Sequence, residues 1–247
     1  MIYEVSINNF LECLDEVRVD NSNQMITIEE NEQELIITQE QPTSYKHELE
    51  RLNKIVEKVV YNKSDYSIKN TQELFDCWKK EKKEIIFNDG GEEYVTSLMR
   101  ISKYLEETET LSIFVKNYGV TPIVLMTEQN KNINDSIMIK EFEMFNLFNM
   151  GKALFDIDLK GVRYKELKTF ELVGKVSEKY DIVAFKKKLK DKLNLLQSDQ
   201  INLDINLIGR YSYENNILKG LEFNAIIKVN ELYKFRYEIS INSKKEL

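Results

Sequence analysis

The sequence predicts an α+β protein, with a helix-rich, acidic N-terminal half and a C-terminal, mainly antiparallel sheet crossed by one amphipathic helix. Three observations carry that expectation. Between Ile201 and Ile241, three runs alternate apolar and polar residues with a period of two, the pattern of a meander with one dry and one wet face. From Asp181 to Gln197, Ile182, Phe185, Leu189, Leu193 and Leu196 recur at helical spacing, within an arc of roughly 80° at about 100° per residue. Before residue 108, Leu49, Leu52, Val56, Val59 and Val60, then Leu74, Phe75 and Trp78, then Val95, Leu98, Met99 and Leu105 make helical stripes.

In the meander, Leu203, Ile205, Leu207, Tyr211 and Tyr213 share one face of the first run, opposite Asp204, Asn206, Arg210 and Ser212. Glu214, Asn215 and Asn216 make the turn. Leu221, Phe223, Ala225, Ile227 and Val229 then form the dry side of the second run, and Tyr233, Phe235, Tyr237, Ile239 and Ile241 that of the third. The helical stripe is expected to lie on this dry face.

From the N-terminus, Ile2 to Ile7 reads as a short strand, and Asn8 can cap a helix bearing Phe10, Leu11, Leu14 and Val17. Met25–Ile28 and Leu35–Thr38 form a hairpin around the acidic tip Glu29, Glu30, Asn31, Glu32. Ser44 caps a helix with Glu48 in its first turn and Leu49, Leu52, Val56, Val59 and Val60 on its apolar side. A second helix starts near Asn70, carries Leu74, Phe75 and Trp78, and runs into the charged string from Lys79 to Glu84. Ile85–Phe87 is expected to be a strand, followed by the Asp89-Gly90-Gly91 turn and a helix bearing Val95, Leu98, Met99 and Leu105. Leu111–Val115 and Pro122–Met126 read as strands around the Asn117-Tyr118-Gly119 turn. Ile137 to Ile157 suits either a buried helix or a hairpin turning at Asn149 to Lys152, of which Gly151 and the alternation of Ala153, Phe155 and Ile157 favour the hairpin, and Phe170–Val176 is a further strand.

With 247 residues the chain can bury a substantial core without disulfides or metals. Its boundaries are expected at 1–108 for an acidic N-terminal region and 109–247 for a β-rich C-terminal region, unless both form one continuous domain. Charge is uneven. Residues 1–158 hold 17 Lys and Arg against 30 Asp and Glu, a net −13, and residues 159–247 hold 18 against 12, a net +6. Such a dipolar chain is drawn to oppositely charged surfaces, including its own other end, so a protein partner or self-association into an oligomer is expected. Cys13 and Cys77 lack a CxxC partner, which argues against a disulfide framework and for a reducing, cytoplasmic setting. MIYEVSINNF lacks the pattern of a signal peptide, and no apolar stretch approaches the roughly 18–20 residues of a membrane helix, so no membrane association is expected. The abundance of Lys, Asn, Ile and Glu resembles proteins of AT-rich bacteria and their phages.

Chemistry has few places to reside. The single histidine, His47, removes most triads and His-ligated metal sites, and it sits in a polar helix start where a surface role is expected. Asp89-Gly90-Gly91 is no phosphate loop, because Glu92 and Glu93 stand where the anion would arrive. One cluster has a catalytic pattern: Asp156, Asp158 and Lys160 share one face of a strand. Two carboxylates can hold Mg²⁺ through oxygen while the lysine positions a water. Asp158-Leu159-Lys160 resembles the active-site motif of PD-(D/E)xK nucleases over these three residues, and that resemblance implies an upstream acid, Asp135 or Glu143, and an Mg²⁺ cofactor. The competing reading is an exposed strand end turning at Gly161. A second feature is basic: Lys186, Lys187, Lys188, Lys190 and Lys192 on the 181–197 helix could meet phosphates of nucleic acid, or simply form a solvated face. The tyrosines of the meander's dry face read as core rather than as a base-stacking platform.

The function expected from these features is that of a non-enzymatic binding or assembly subunit of a bacterial or phage cytoplasmic system, acting through protein–protein contacts and without a cofactor. The alternatives are a divergent Mg²⁺-dependent nuclease using Asp156, Asp158 and Lys160, or a nucleic-acid backbone binder using the lysine-rich helix.

Overall fold

Antiparallel strands, and not helices, make up most of the described residues, including the beginning of the chain. The structure is a computed structural model that describes residues 1–13, 16–40, 54–88, 105–144, 153–196, 200–230 and 232–244. Its elements are β1 (Ile2–Cys13), β2 (Glu16–Glu30), β3 (Glu34–Gln39), β4 (Lys58–Asn62), α1 (Thr71–Asn88), α2 (Thr108–Lys116), α3 (Thr121–Asn130), β5 (Ser136–Met144), β6 (Ala153–Tyr164), β7 (Leu167–Val176), α4 (Ile182–Leu193), β8 (Leu203–Glu214), β9 (Ile217–Val229) and β10 (Tyr233–Ser243). The expected α+β class with a helix-rich N-terminal half is therefore corrected to a mostly antiparallel-sheet structure with few short helices, whose N-terminal half begins with strands. Two compact units divide the chain: Met1–Val5, Ser22–Asn117 and Ser243–Leu247 form one, and Ser6–Asn21 with Tyr118–Asn242 the other.

In the first unit β2, β3 and β4 pair antiparallel, with Ile28 opposite Ile37 and Ile37 opposite Val59. Ile26, Ile28, Leu35, Ile37, Val59 and Tyr61 are buried, every second residue along each strand. The β2–β3 tip is held by Asn31, whose side-chain oxygen accepts from the amides of Gln33 and Glu34, both at 2.8 Å. Val59 and Val60 lie in β4 and not on a helix, since their β-branched side chains suit a pleated surface and β3 offers the backbone partners. Asn70 ties β4 to the start of α1: its oxygen accepts from the Val60 amide (3.0 Å) and its amide group donates to the Lys58 carbonyl (3.0 Å). Leu74 and Trp78 bury one side of α1. Ile85–Phe87, expected as a strand, continues that helix, in which Leu74, Trp78 and Glu81 are buried at a four-three spacing that carries the helical stripe into the charged string. Glu81, within that string, is buried and accepts from Lys54 (3.4 Å). Ser44 to Leu52, His47, the Asp89-Gly90-Gly91 turn, Val95 to Met99 and Asn149 to Lys152 lie outside the described residues.

Two further strand expectations become helices. Leu111, Phe114 and Val115 are buried at helical spacing in α2. In α3, Pro122 occupies the first turn and every residue from Thr121 to Glu128 is buried. A continuous apolar run reads alike as a buried strand or as a buried helix, and periodicity cannot separate them. Gly119, before α3, takes φ of +59°, a left-handed turn conformation that glycine adopts without steric cost.

The second unit has the strand order β1-β10-β9-β8-β7-β6-β5. The helix expected over Phe10 to Val17 is corrected to strand among the described residues: Phe10 and Leu11 belong to β1, which β10 pairs, Val17 belongs to β2, and the Arg236 guanidinium sits 4.2 Å over the Phe10 ring. The meander and its dry face match the alternation, with Leu207, Tyr211, Tyr213, Leu221, Phe223, Ala225, Ile227, Phe235, Ile239 and Ile241 buried. Leu172 covers Gly209 on that face, where an added Cβ would stand 3.2 Å from it and 2.7 Å from the Glu222 carbonyl oxygen. Asp181 caps α4, accepting from the Ala184 amide at 2.9 Å, and Asn194 ends it in the left-handed region. Phe185 and Leu189 are buried on α4, and Phe185 shares a small void with Phe155, Ile205 and Ile227 on the dry side. Leu196 is different: it lies beyond the helix end and is 70% exposed.

Leu189→Ala is expected to lower stability by about 2–5 kcal/mol, as a buried large-to-small change, and Leu196→Ala by less than about 0.5 kcal/mol. Chemical denaturation of the two variants checks the contrast; equal midpoints would show that the helix does not bury its stripe.

Burial raises the phenol pKa of Tyr61, Tyr211 and Tyr213, and Glu128 raises those of the last two further. A phenol that ionises near pH 10 when unfolded, and later when folded, contributes stability that is complete below pH 10 and is lost as pH rises. Alkaline unfolding is therefore expected to begin above about pH 10 and to coincide with a late step in phenolate absorbance. Full phenolate absorbance with the far-ultraviolet dichroism unchanged would contradict it.

Candidate functional site

The register of the second unit aligns side chains into rows across its wet face. Lys160 opposes Glu171, Glu171 opposes Arg210, and Arg210 opposes Glu222. Cross-strand pairs stand about 5 Å apart, so this is a row of alternating charge over four strands. Arg210 and Glu222 pair at 2.9 Å. The adjacent row holds Met138, Asp158, Val173, Ile208 and Asn224. Met138 and Val173 are each 54% exposed and Ile208 46%, which gathers apolar surface in water into one row of the wet face. Sequence reasoning missed this feature. Its signal was present, since Val173 and Ile208 each stand on the polar side of an alternating run.

Asp156, Asp158 and Lys160 do share the wet face of β6, between the buried Phe155, Ile157 and Leu159. Asp156 is engaged by the sheet itself. A bulge between Ile139 and Phe142 in β5 puts Glu141 at φ +56° and aims its amide at Asp156, at 3.0 Å. That amide, with the Lys140 ammonium 3.4 Å away, holds the Asp156 carboxyl below the usual carboxylate range. Lys179 adds to the patch by pairing with Glu141 at 2.6 Å. Asp158 has Ser136 Oγ 3.5 Å away and is flanked in its row by Met138 and Val173; Lys160 is exposed. Glu143 lies opposite Leu154, and the Asp135 carbonyl accepts from the Gly161 amide. Among the described residues no three His, Cys, Asp or Glu side chains gather as a metal ion would require.

The lysines of α4 are divided. Lys186 donates to the Ile201 carbonyl at 3.0 Å and so ties the helix to the start of the meander. Lys187 and Lys188 are exposed, Lys190 is partly buried, and the Lys192 side chain lies outside the described residues. Two exposed lysines give weak purchase on a phosphate backbone. Cys77 is half-buried, and burial together with Glu81 and Glu57 pushes its thiol pKa up, away from nucleophilic use.

A polar cleft of about 470 Å³ opens between two hairpin turns, lined by Asn132, Arg163, Glu166, Lys168, Tyr213 and the turn residues Asn215 and Asn216. Asn215 and Asn216 both have positive φ, as a two-residue hairpin turn requires. Beneath it lies a buried network: the Tyr213 hydroxyl donates to Glu128 (2.7 Å) and lies 3.2 Å from Thr127 Oγ1, and Glu128 pairs with Lys131 at 2.9 Å. Lys168 closes the loop above by donating to the Lys131 carbonyl and to Asn132.

With Asp156 committed to the bulge, incubation with single- or double-stranded nucleic acid and Mg²⁺ or Mn²⁺ is expected to give no cleavage above the metal-free control. Metal-dependent cutting abolished by Asp158→Asn, with unchanged circular dichroism, would reverse this assignment. The chain matches no protein-family model, no curated protein and no solved structure.

Proposed function

We propose that the protein is a non-enzymatic binding or assembly subunit acting through protein–protein contacts, and that the wet face of β6 to β9 is the surface it uses. One observation supports this above others: Val173 and Ile208 stand side by side and about half exposed, with Met138 in the same row and a band of alternating charge beside them. An apolar centre flanked by charge is the composition of a docking surface, because the centre gains from losing water while the charges select the partner. The setting we favour is the cytoplasm of a bacterial or phage system, which the two cysteines without a CxxC partner and the amino-acid usage support. No helix among the described residues is long and apolar enough to cross a membrane.

The test compares tagged parent protein with the Val173→Glu/Ile208→Glu variant, both expressed in cells of the source. At least one protein, an untagged copy of the chain included, is expected to be retained by the parent and depleted roughly tenfold or more on the variant. Identical retained sets, with both proteins folded by circular dichroism, would remove this face as the site of action.

A further inference from the structure

We infer that this face binds a second copy of the chain, in a twofold pair whose axis runs parallel to the strands between β7 and β8. The inference rests on reading the face as a docking surface and names its occupant. A twofold axis lying in the interface and parallel to the strands turns each cross-strand row end for end onto itself. The row Lys160, Glu171, Arg210, Glu222 reads plus, minus, plus, minus, so reversal sets Lys160 against the second copy's Glu222, and Glu171 against its Arg210. An alternating row with an even number of members is self-complementary under that operation; an odd one is not.

The neighbouring rows agree. In the apolar row the two innermost residues are Val173 and Ile208, which meet each other across the axis, with Asp158 facing Asn224 outside them. On the other side of the charged row, Thr169 faces Ser212, and Val162 faces Gly220. Beyond the apolar row, Lys175 faces Asn206, while Asp156, already held by the Glu141 amide, falls opposite Ile226 at the rim. An axis across the strands fails where this one succeeds. It would lay the charged row on the apolar one, putting Glu171 on Val173 and Arg210 on Ile208 and leaving buried charge unpaired.

Two antiparallel sheets stacked face to face keep their strands within about 30° and about 10 Å apart, which this axis allows. Four strands about 4.8 Å apart and four rows about 6.8 Å apart cover on the order of 500 Å² per copy, the range of weak and transient complexes. The pair should therefore form in the micromolar range and weaken with salt, since one of its four rows is wholly ionic.

Sedimentation velocity of the purified full chain, from about 1 to 200 μM in about 50 and 500 mM NaCl, reads the association. The weight-average mass is expected to climb from monomer toward dimer with concentration, with a dissociation constant about tenfold or more larger at high salt. Glu171→Arg sets like charges against Arg210 at two symmetry-related places and is expected to weaken the pair about tenfold or more. Glu171→Arg combined with Arg210→Glu restores opposite charges between copies and is expected to recover the parent value within about threefold, a rescue that general damage to the surface would not give. A chain monomeric at every concentration, an association indifferent to Glu171→Arg, or a double variant no better than the single would each overturn the twofold pair. If the chain is monomeric while capture from cells still depends on Val173 and Ile208, the occupant is wrong and the docking surface stands; if that dependence is also missing, both readings fall.

Discussion

The cross-strand register of β6 to β10 is the constraint on which the rest of the second unit depends. Side chains in a strand alternate faces, so one pairing decides at once which residues form the core and which rows meet solvent. Pairing Leu172 with Gly209 and Gly209 with Phe223 places Phe170, Tyr211 and Leu221 in line on the dry face. The same register places Lys160, Glu171, Arg210 and Glu222 in line on the wet one. A slip of one residue would put charge into the core and is strongly disfavoured. Order on the open face is thus a by-product of order in the core, and a functional surface built there inherits rigidity from the hydrophobic side.

The dry face is not wholly apolar. Tyr213, Glu128, Thr127 and Lys131 form a buried polar network between β8 and α3. Each member is satisfied, and a satisfied network fixes the seating of a helix more narrowly than apolar contact does. That matters for α3, which is buried along Thr121 to Glu128 and has no amphipathic stripe to orient it. Tyr211, by contrast, stacks on Phe170 at 4.5 Å with its hydroxyl unbonded among the described residues. It is held by ring packing rather than by its polar end.

Local geometry also accounts for the fate of the acidic cluster. Asp-x-Asp-x-Lys on one strand face is compatible with metal chemistry, and the three residues do align. A register shift in β5 supplies an amide to Asp156, and Lys140 and Lys179 add charge around the same bulge. The carboxylate therefore closes a gap in the sheet ladder. A sequence motif lists residue types, whereas the bulge that engages Asp156 lies on another strand.

Strict alternation was legible without any structure. The meander from β8 to β10, the β2–β3 hairpin around Asn31, the Asp181 cap and the buried Phe185 and Leu189 all follow from spacing alone, because one face of each element is dry and the other wet. Where both faces are buried, or where a strand partner is remote, spacing is silent. Leu111–Val115 and Pro122–Met126 became helices, and Phe10 and Leu11 joined a strand whose neighbour is β10, more than two hundred residues away. The alignment of Val173 with Ile208, and of four charges into one row, likewise needed the register between strands, which the period of a single strand does not contain. Sequence periodicity reports which side of an element meets water; only tertiary pairing decides which elements share that side, because the long-range contacts that select a partner strand are set by the packing of the whole core.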